Sequence, residues 1–558
     1  MRKFRFELFL ILSFLILFIL KFYSILKISD NIFFTEDTLQ IEYWFKLISE
    51  TNMFGIEHSI ANPVGDSIWS NPSLGVAISG SALVLQDILN LGSAQTVLAV
   101  FFLVGAANFT STIYLSKVLN LNRLLTSFLT LAIGLSPYYI EKIGAIGVAA
   151  FYPLVIIISY TIKYQSNRHT LVRKDFLILF VVILTASFWW LIVALVIFAL
   201  ITTIYLLISF LNRSFKNSFK FYLATTIYVF FSLFFYFVIS LRYSYLRGEN
   251  RFQAWQNEIF SGKLSNFFLS SPFIDTSYPT LITTLHGGVS PGAILDRVGF
   301  ISGISTLFLF ILILLNFTKV KNPIEHLPWY SPLLLLGLVS TLFYISGGLG
   351  NIVSGVFVLL EQVSPIRSWS RLNIIMSIIG LILLSVLVQF KFSKRQQAIF
   401  LFCSSLFILL DLYYATLPET NYIDKSDEKS VSDYLFNNVS FCKVLQIPVD
   451  TQPIPQDYVN EERGKFYYTN YRQYLLNSNL NWSFGNWTQS DGWVHEASIP
   501  TTVNQEWIKS TKENICAIVY DKEYAEWRSR TAVEWPGLIV SLDEPDFVNS
   551  RYNVYLVQ

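Results

Sequence analysis

Long apolar runs recur throughout residues 1–417, and no other feature narrows the fold as much. About 20 helical residues span a bilayer core, and lipid obliges each crossing segment to satisfy its own backbone hydrogen bonds. Runs of that kind lie at 6–26, 94–116, 124–140, 145–162, 175–189, 191–211, 221–241, 299–317, 330–348, 372–390 and 398–416. The pair within 175–211 reads as two tight spans meeting at Phe188-Trp189-Trp190 or as one long tilted helix. A further apolar stretch at 351–363 is too short to cross and reads as re-entrant or interfacial. Lys21 and Lys27 follow the first run with no small-residue cleavage site, which identifies a retained span rather than a signal peptide.

Charge then orients the bundle. The 558-residue chain is only 14% charged and has a net charge of +2, with a mean hydropathy of +0.49. Soluble proteins carry about 25% charged residues, so a soluble enzyme is close to excluded. The small net charge conceals two unlike parts. Residues 1–417 hold 28 Lys/Arg against 18 Asp/Glu, and residues 418–558 hold 12 against 20. One alternating set of short loops carries Arg2, Lys3, Arg5, Lys117, Arg123, Lys163, Arg168, Arg173, Lys174, Arg213, Lys216, Lys220, Lys319, Lys321, Lys391, Lys394 and Arg395. The positive-inside rule places this set in the cytoplasm. The other set includes two long loops, 27–93 and 242–298, and with an odd number of spans the acidic tail falls outside. The expected architecture is mainly α: a polytopic membrane helical bundle of about 11 spans (1–417, N-in and C-out), plus a small C-terminal extracytoplasmic α/β domain (418–558).

In the tail, strand-like runs at Cys442–Val449 and Cys516–Asp521 flank a helix-like stretch at Glu506–Lys512. An outside compartment permits a disulfide between Cys442 and Cys516, and parallel neighbouring strands would bring them within range. Without a distance, bonded and free both stand. Cys403 lies in the last span and reads as inert packing. Trp482, Trp487 and Trp493 suit carbohydrate stacking, core packing or a lid over the membrane site equally well.

Irregular backbone with function has to sit in loops or cavities. The first outside loop carries Glu36-Asp37, then Glu42-Tyr43-Trp44, then Asn62-Pro63-Val64-Gly65-Asp66. Adjacent carboxylates beside an aromatic pair suit proton abstraction from a sugar hydroxyl next to a stacking platform; the competing reading is an acidic solvated loop with Asn-Pro turns. Glu57-His58 reads as a surface pair more readily than as an acid/base pair. In the turn Ser136-Pro137-Tyr138-Tyr139-Ile140-Glu141-Lys142, Ser-Pro ends a helix and the two Tyr sit where interface aromatics anchor. There Glu141 either pairs with Lys142 or faces the cavity beneath the first loop. The 242–298 loop keeps Arg297 and His286 outside, against the positive-inside bias. A lipid phosphate would explain them, since guanidinium groups grip phosphate oxygens bidentately, and interfacial snorkelling is the alternative. Arg367 and Arg371, four apart after Pro365, would share one face at a span's mouth. They are the preferred phosphate-gripping pair. The chain has no Walker loop, Rossmann glycine pattern, HExxH or CxxC.

In this order, these residues resemble the GT-C superfamily of polytopic membrane glycosyltransferases. The resemblance rests on the Glu36-Asp37 loop, the Asn-Pro-x-Gly stretch at 62–65, the Ser-Pro turn at 136–137 and the Pro-x-Arg…Arg turn at 365–371. It departs from the family in having no second well-placed Asp pair. It implies sugar transfer from a polyprenyl-phosphate donor to a glycan, lipid or protein acceptor by inverting displacement, with membrane lipids as the surroundings and no nucleic-acid partner. Asp37 or Glu36 would be the base, Arg367, Arg371 and Arg297 would hold the donor phosphate, and Asp66, Glu141, His286 and Trp44 would line the substrate cavity. A divalent cation (Mg or Mn) is used by some members and not by others, and both options stand. The competing classes are a polysaccharide polymerase or ligase, which usually ends without a soluble outside domain, and a lipid-linked sugar flippase. The flippase would place charges at mid-membrane and show inverted repeats, and neither feature is evident in the sequence.

Overall fold

The computed structural model describes residues 2–34, 36–51, 74–167, 171–211, 216–242, 299–318, 324–344, 349, 369–415, 422–439, 442–447, 471–477, 479–482, 502–510, 514–531, 539–542 and 544–557. The chain opens with α1 (Arg2–Ile28), a short strand β1 (Ile32–Phe34) and α2 (Glu36–Thr51). Then come α3 (Val76–Leu89), α4 (Ser93–Val118), α5 (Arg123–Gly134), the single turns α6 (Pro137–Ile140) and α7 (Ile146–Ala149), and α8 (Tyr152–Ser166). The bundle continues with α9 (Arg173–Thr185), α10 (Phe188–Leu211), α11 (Lys216–Arg242), α12 (Phe300–Phe317), α13 (Tyr330–Tyr344), α14 (Asn373–Lys391) and α15 (Lys394–Tyr414).

Among the described residues, seven helices are long and apolar enough to cross a membrane: Arg5–Lys27, Ser93–Val118, Ile143–Ser166, Phe188–Ile208, Phe219–Ile239, Asn373–Lys391 and Lys394–Tyr413. The chain is a multi-pass membrane protein. The expected count was about 11, and the difference comes from where helices break. Ser136-Pro137 ends the run at 124–140, leaving α5 with 12 residues, and Ala186-Ser187 leaves α9 with 13. Phe300–Asn316 and Tyr330–Tyr344 are apolar but short.

The 175–211 pair is two helices running in opposite directions. Lys163 meets Asp175 at 3.0 Å and Tyr164 stacks on Phe221 at 4.7 Å, which pins one end of the group. At the other end Tyr152 Oη donates to Thr185 O and Ser187 Oγ to Gly147 O. Tyr205 of α10 stacks on Tyr222 at 5.0 Å, beside the first end, so α10 retraces α9.

The tail elements are β2 (Tyr422–Asp424), α16 (Ser426–Asn438), β3 (Lys443–Ile447), α17 (Tyr471–Leu476), β4 (Asn481–Trp482), β5 (Thr502–Asn504), α18 (Gln505–Ser510), β6 (Ile515–Asp521), α19 (Lys522–Thr531), β7 (Ile539–Ser541), β8 (Phe547–Val548) and β9 (Tyr552–Leu556). Five strands form one mixed sheet in the order β4-β3-β6-β9-β8. β3 runs parallel to β4 and β6, whereas β9 is antiparallel to both β6 and β8. Cys442, just before β3, is bonded to Cys516 in β6, with their Cα atoms 5.9 Å apart. Trp482 is fully buried and donates its indole N–H to Asn477 O at 2.7 Å, so this tryptophan belongs to the core. Trp487 and Trp493 lie outside the described residues.

Candidate functional site at the tail-side end of the bundle

Residues 36–51 were expected within the first outside loop, 27–93; they form a helix. Acidic residues in a first helical turn complement the positive end of the helix dipole, and Glu36 and Asp37 stand there. Beyond them Leu39, Ile41, Tyr43, Phe45, Leu47 and Ile48 are all buried. With these residues and Gln40 and Glu42 buried, α2 is an internal helix, packed against α3, α4 and the turn at 143–145. Trp44 is part of this core at 6% exposure. Its ring is packed rather than presented as a stacking platform.

The same helix holds a carboxylate to which the sequence assigned no role. Glu42 is fully buried. It accepts the Phe34 N–H at 3.4 Å and the Ser93 hydroxyl at 2.8 Å. Burial lifts its carboxyl above the ordinary value, opposed by the charge of Lys425, the two hydrogen bonds and the charge of Arg472. An acid set among Leu39, Ile41, Tyr43, Trp44 and Phe45 was the available signal.

The turn after α5 forms the neighbouring wall. Pro137 occupies the first turn of α6, where its missing N–H costs nothing. Tyr138 and Tyr139 were expected at the membrane interface; both are fully buried. Tyr139 donates to Phe101 O at 2.6 Å and stacks on the Phe101 ring at 4.5 Å. Gly105 makes the space, because a Cβ there would collide with the Tyr139 phenol. Glu141 is half-buried at the end of α6, and Lys142 is buried with its ammonium 5.8 Å from the Tyr138 ring. The following turn, 143–145, is the one that packs against α2.

Arg371 stands in the helical turn Trp369–Leu372, its guanidinium 5.2 Å from the Trp189 ring. Trp190 donates to Val148 O at 3.0 Å, and Ser187 to Gly147 O at 2.6 Å. The segment 141–149 therefore has α2 on one side and the start of α10, with Arg371 stacked on it, on the other. Gly299 precedes α12 with φ +93, where any side chain would meet Asp411 and Pro137. Asp411, a buried acid also missed in the last apolar run, accepts the Phe300 N–H at 2.7 Å. It caps a helix that has no side-chain cap of its own.

Of the sequence-derived candidates, α2 positions the backbone of Glu36 and Asp37, while Glu141 and Arg371 border the 141–149 segment. Asp66, His286, Arg297 and Arg367 lie outside the described residues, as do the side chains of Glu36 and Asp37. Among the described residues no group of three or more His, Cys, Asp or Glu is placed to hold a metal ion.

No family profile matches the sequence, and no curated protein matches it. Solved structures do. The chain is similar to the arabinofuranosyltransferase AftD from Mycobacteria, at 12% identity over 92% of this chain and 35% of that one, with a TM-score of 0.50. It is also similar to an oligosaccharyltransferase from Archaeoglobus fulgidus, at 12% identity over 96% of this chain and 70% of that one, with a TM-score of 0.47. The chain spans about a third of the length of the mycobacterial enzyme. Over 92% of its own length the chain shares the fold of the corresponding third of the arabinofuranosyltransferase AftD.

Proposed function

We propose that the protein is a membrane glycosyltransferase that moves a sugar from a polyprenyl-phosphate donor to an acceptor hydroxyl on the extracytoplasmic side of the cell membrane. The observation that carries this reading is the acidic pair in the first turn of α2, a helix buried against the bundle within the fold shared with AftD. In this reading the body crosses about 11 times, α5, α9, α12 and α13 completing their crossings with flanking residues. The N-terminus is inside and residues 418–558 are outside.

The reaction is an inverting displacement. Asp37, with Glu36 as the alternative base, takes the acceptor O–H proton while that oxygen forms a bond to the anomeric carbon. The bond from the anomeric carbon to the donor phosphate oxygen breaks on the opposite face. Its electron pair leaves with the phosphate, whose charge Arg371, Arg367 and Arg297 stabilise. Asp66, Glu141 and His286 line the acceptor side.

The test is transfer by the purified full-length protein in nanodiscs, using a panel of polyprenyl-phosphate pentoses and hexoses with cell-envelope glycan as acceptor. Asp37→Asn is expected to abolish transfer without changing expression, and the product is expected to show inverted anomeric configuration. Full activity in both Asp37→Asn and Glu36→Gln overturns the mechanism.

A further inference from the structure

The helix that carries the acidic pair is held by the tail at two separate places. β1 ends two residues before Glu36, and its ladder partner is β2, from the far side of the last membrane helix. Ile32 pairs with Asp424, Phe33 with Ile423 and Phe34 with Tyr422. A two-stranded ladder of this size does not hold itself together in water, so other contacts must fix it. Lys425 supplies two. Its N–H donates to Asn31 O at 3.0 Å, and its ammonium sits 4.8 Å from the centre of the Phe33 ring.

The second place is further along α2. Tyr43 meets Tyr474 of α17 edge to face, with ring centres 5.6 Å apart. Its neighbour Glu42 lies in the field of Lys425 and Arg472, both tail residues. Arg472 is itself immobilised: it is fully buried and donates to Glu428 at 3.3 Å. Glu428 also accepts from Arg551 at 3.3 Å and from the Tyr552 hydroxyl at 3.1 Å. Residues from α16, α17 and the edge of β9 thus lock the cation that faces α2.

We infer that the tail is the positioning frame of the catalytic helix, with Lys425 as a positioning residue, rather than a separate module that only binds acceptor or covers the site. The inference rests on the reading of Asp37 and Glu36 as the base. Misplacing a reacting group by about 1 Å can cost about a hundredfold in rate, so a frame of this kind acts on turnover rather than on donor affinity. β1 and the first turn of α2 are the segments whose order depends on it.

The experiment uses the full-length protein in nanodiscs with Lys425→Met and Lys425→Arg. In Lys425→Met, amide hydrogen exchange across residues 32–38 is expected to rise about tenfold, the factor within reach of one partly buried cation–π contact. Exchange in α14 is expected to stay as in the wild type. In the transfer assay described above, kcat falls about tenfold or more while KM stays within about twofold. Lys425→Arg, which keeps a cation over Phe33, restores both. Should Lys425→Met fail to fold, Tyr474→Leu removes the second contact and is read in the same way. Unchanged exchange across 32–38 overturns the inference whatever the activity shows. A wild type that turns over none of the donors overturns the functional reading instead, and the exchange measurement still decides whether the tail frames α2.

Discussion

The Cys442–Cys516 bond closes a loop across a sequence separation of 74 residues. Cross-linking a ring of about 75 residues removes chain entropy from the unfolded state worth about 4.5 kcal/mol at 25 °C. Cys442→Ala/Cys516→Ala should lower the stability of the tail by about that amount, within the 2–5 kcal/mol typical of native disulfides. The assay is urea unfolding of the full-length protein in detergent, read by pulse proteolysis of the tail. At a urea dependence of about 2 kcal/mol per molar, the midpoint should fall by about 2 M. Reductant should move the wild type to the same midpoint and leave the variant where it is. Alkylation supplies an independent count: non-reduced, denatured wild type should expose one thiol, that of Cys403. Three reactive thiols, or a midpoint shift below about 0.3 M, would refute the reasoning. Persistence of the bond in protein isolated from cells would accord with a tail on the oxidising side of the membrane.

Two further predictions concern packing and protonation. Gly380 of α14 lies against the backbone of α12, where a Cβ would press on the Ser305 carbonyl and come within 3.1 Å of Thr306 N, beside the 3.0 Å contact between the Thr306 and Ser377 hydroxyls. Gly380→Leu should cost at least about 1–3 kcal/mol, seen as a lower melting temperature in detergent; an unchanged value would mean that the helices do not cross there. Glu42 faces Lys425, Arg472, the Ser93 hydroxyl and the Phe34 N–H, and burial raises its carboxyl above the ordinary value. The folded protein therefore holds this proton to a higher pH than the unfolded chain does. The stability so gained is complete below about pH 4.3, the ordinary Glu value, and is lost as pH rises through the raised folded value. Glu42→Gln should remove that slope, so that its melting temperature relative to wild type climbs with pH and then levels off; a difference independent of pH would sink the assignment.

Where a structural signal is contained within one element, the sequence revealed it. The run 94–116 is α4 at Ser93–Val118, and 372–390 is α14 at Asn373–Lys391, because bilayer thickness imposes a length that a single helix must meet alone. The strands β3 and β6 were legible for a similar reason, as two short apolar runs each bounded by a cysteine, whereas their pairing and the bond between the cysteines stayed open because both depend on the sheet. The errors arose where the deciding partner was remote. Residues 36–51 looked like a loop because Glu36, Asp37 and Glu42 interrupt the apolar pattern. Glu42 is buried there with the Ser93 hydroxyl and the Phe34 N–H bonded to it and in the field of Lys425 and Arg472. Tyr138 and Tyr139 looked like interface anchors because nothing near them in the chain shows that Gly105 leaves room for a phenol. Asp411 drew no reading from the sequence because its partner, the Phe300 N–H, lies 111 residues earlier.

These three cases share a physical cause that bears on the site itself. A buried polar group is tolerated only when its partner is buried with it, and local periodicity carries no information about that partner. In this chain β1 and α2 have partners among residues 422–474, beyond the last membrane helix in the sequence, in addition to Ser93, α3, α4 and the turn at 143–145. The acidic pair could therefore be picked out from residue type and position alone, whereas its support could not. An isolated first loop, cut away from the tail, would keep Glu36 and Asp37 and lose the ladder, the Tyr474 contact and the Lys425 cation that hold their helix. In physical terms the packed unit around α2 begins at β1 and ends in the tail, and the boundary that composition draws near residue 417 runs through the middle of it.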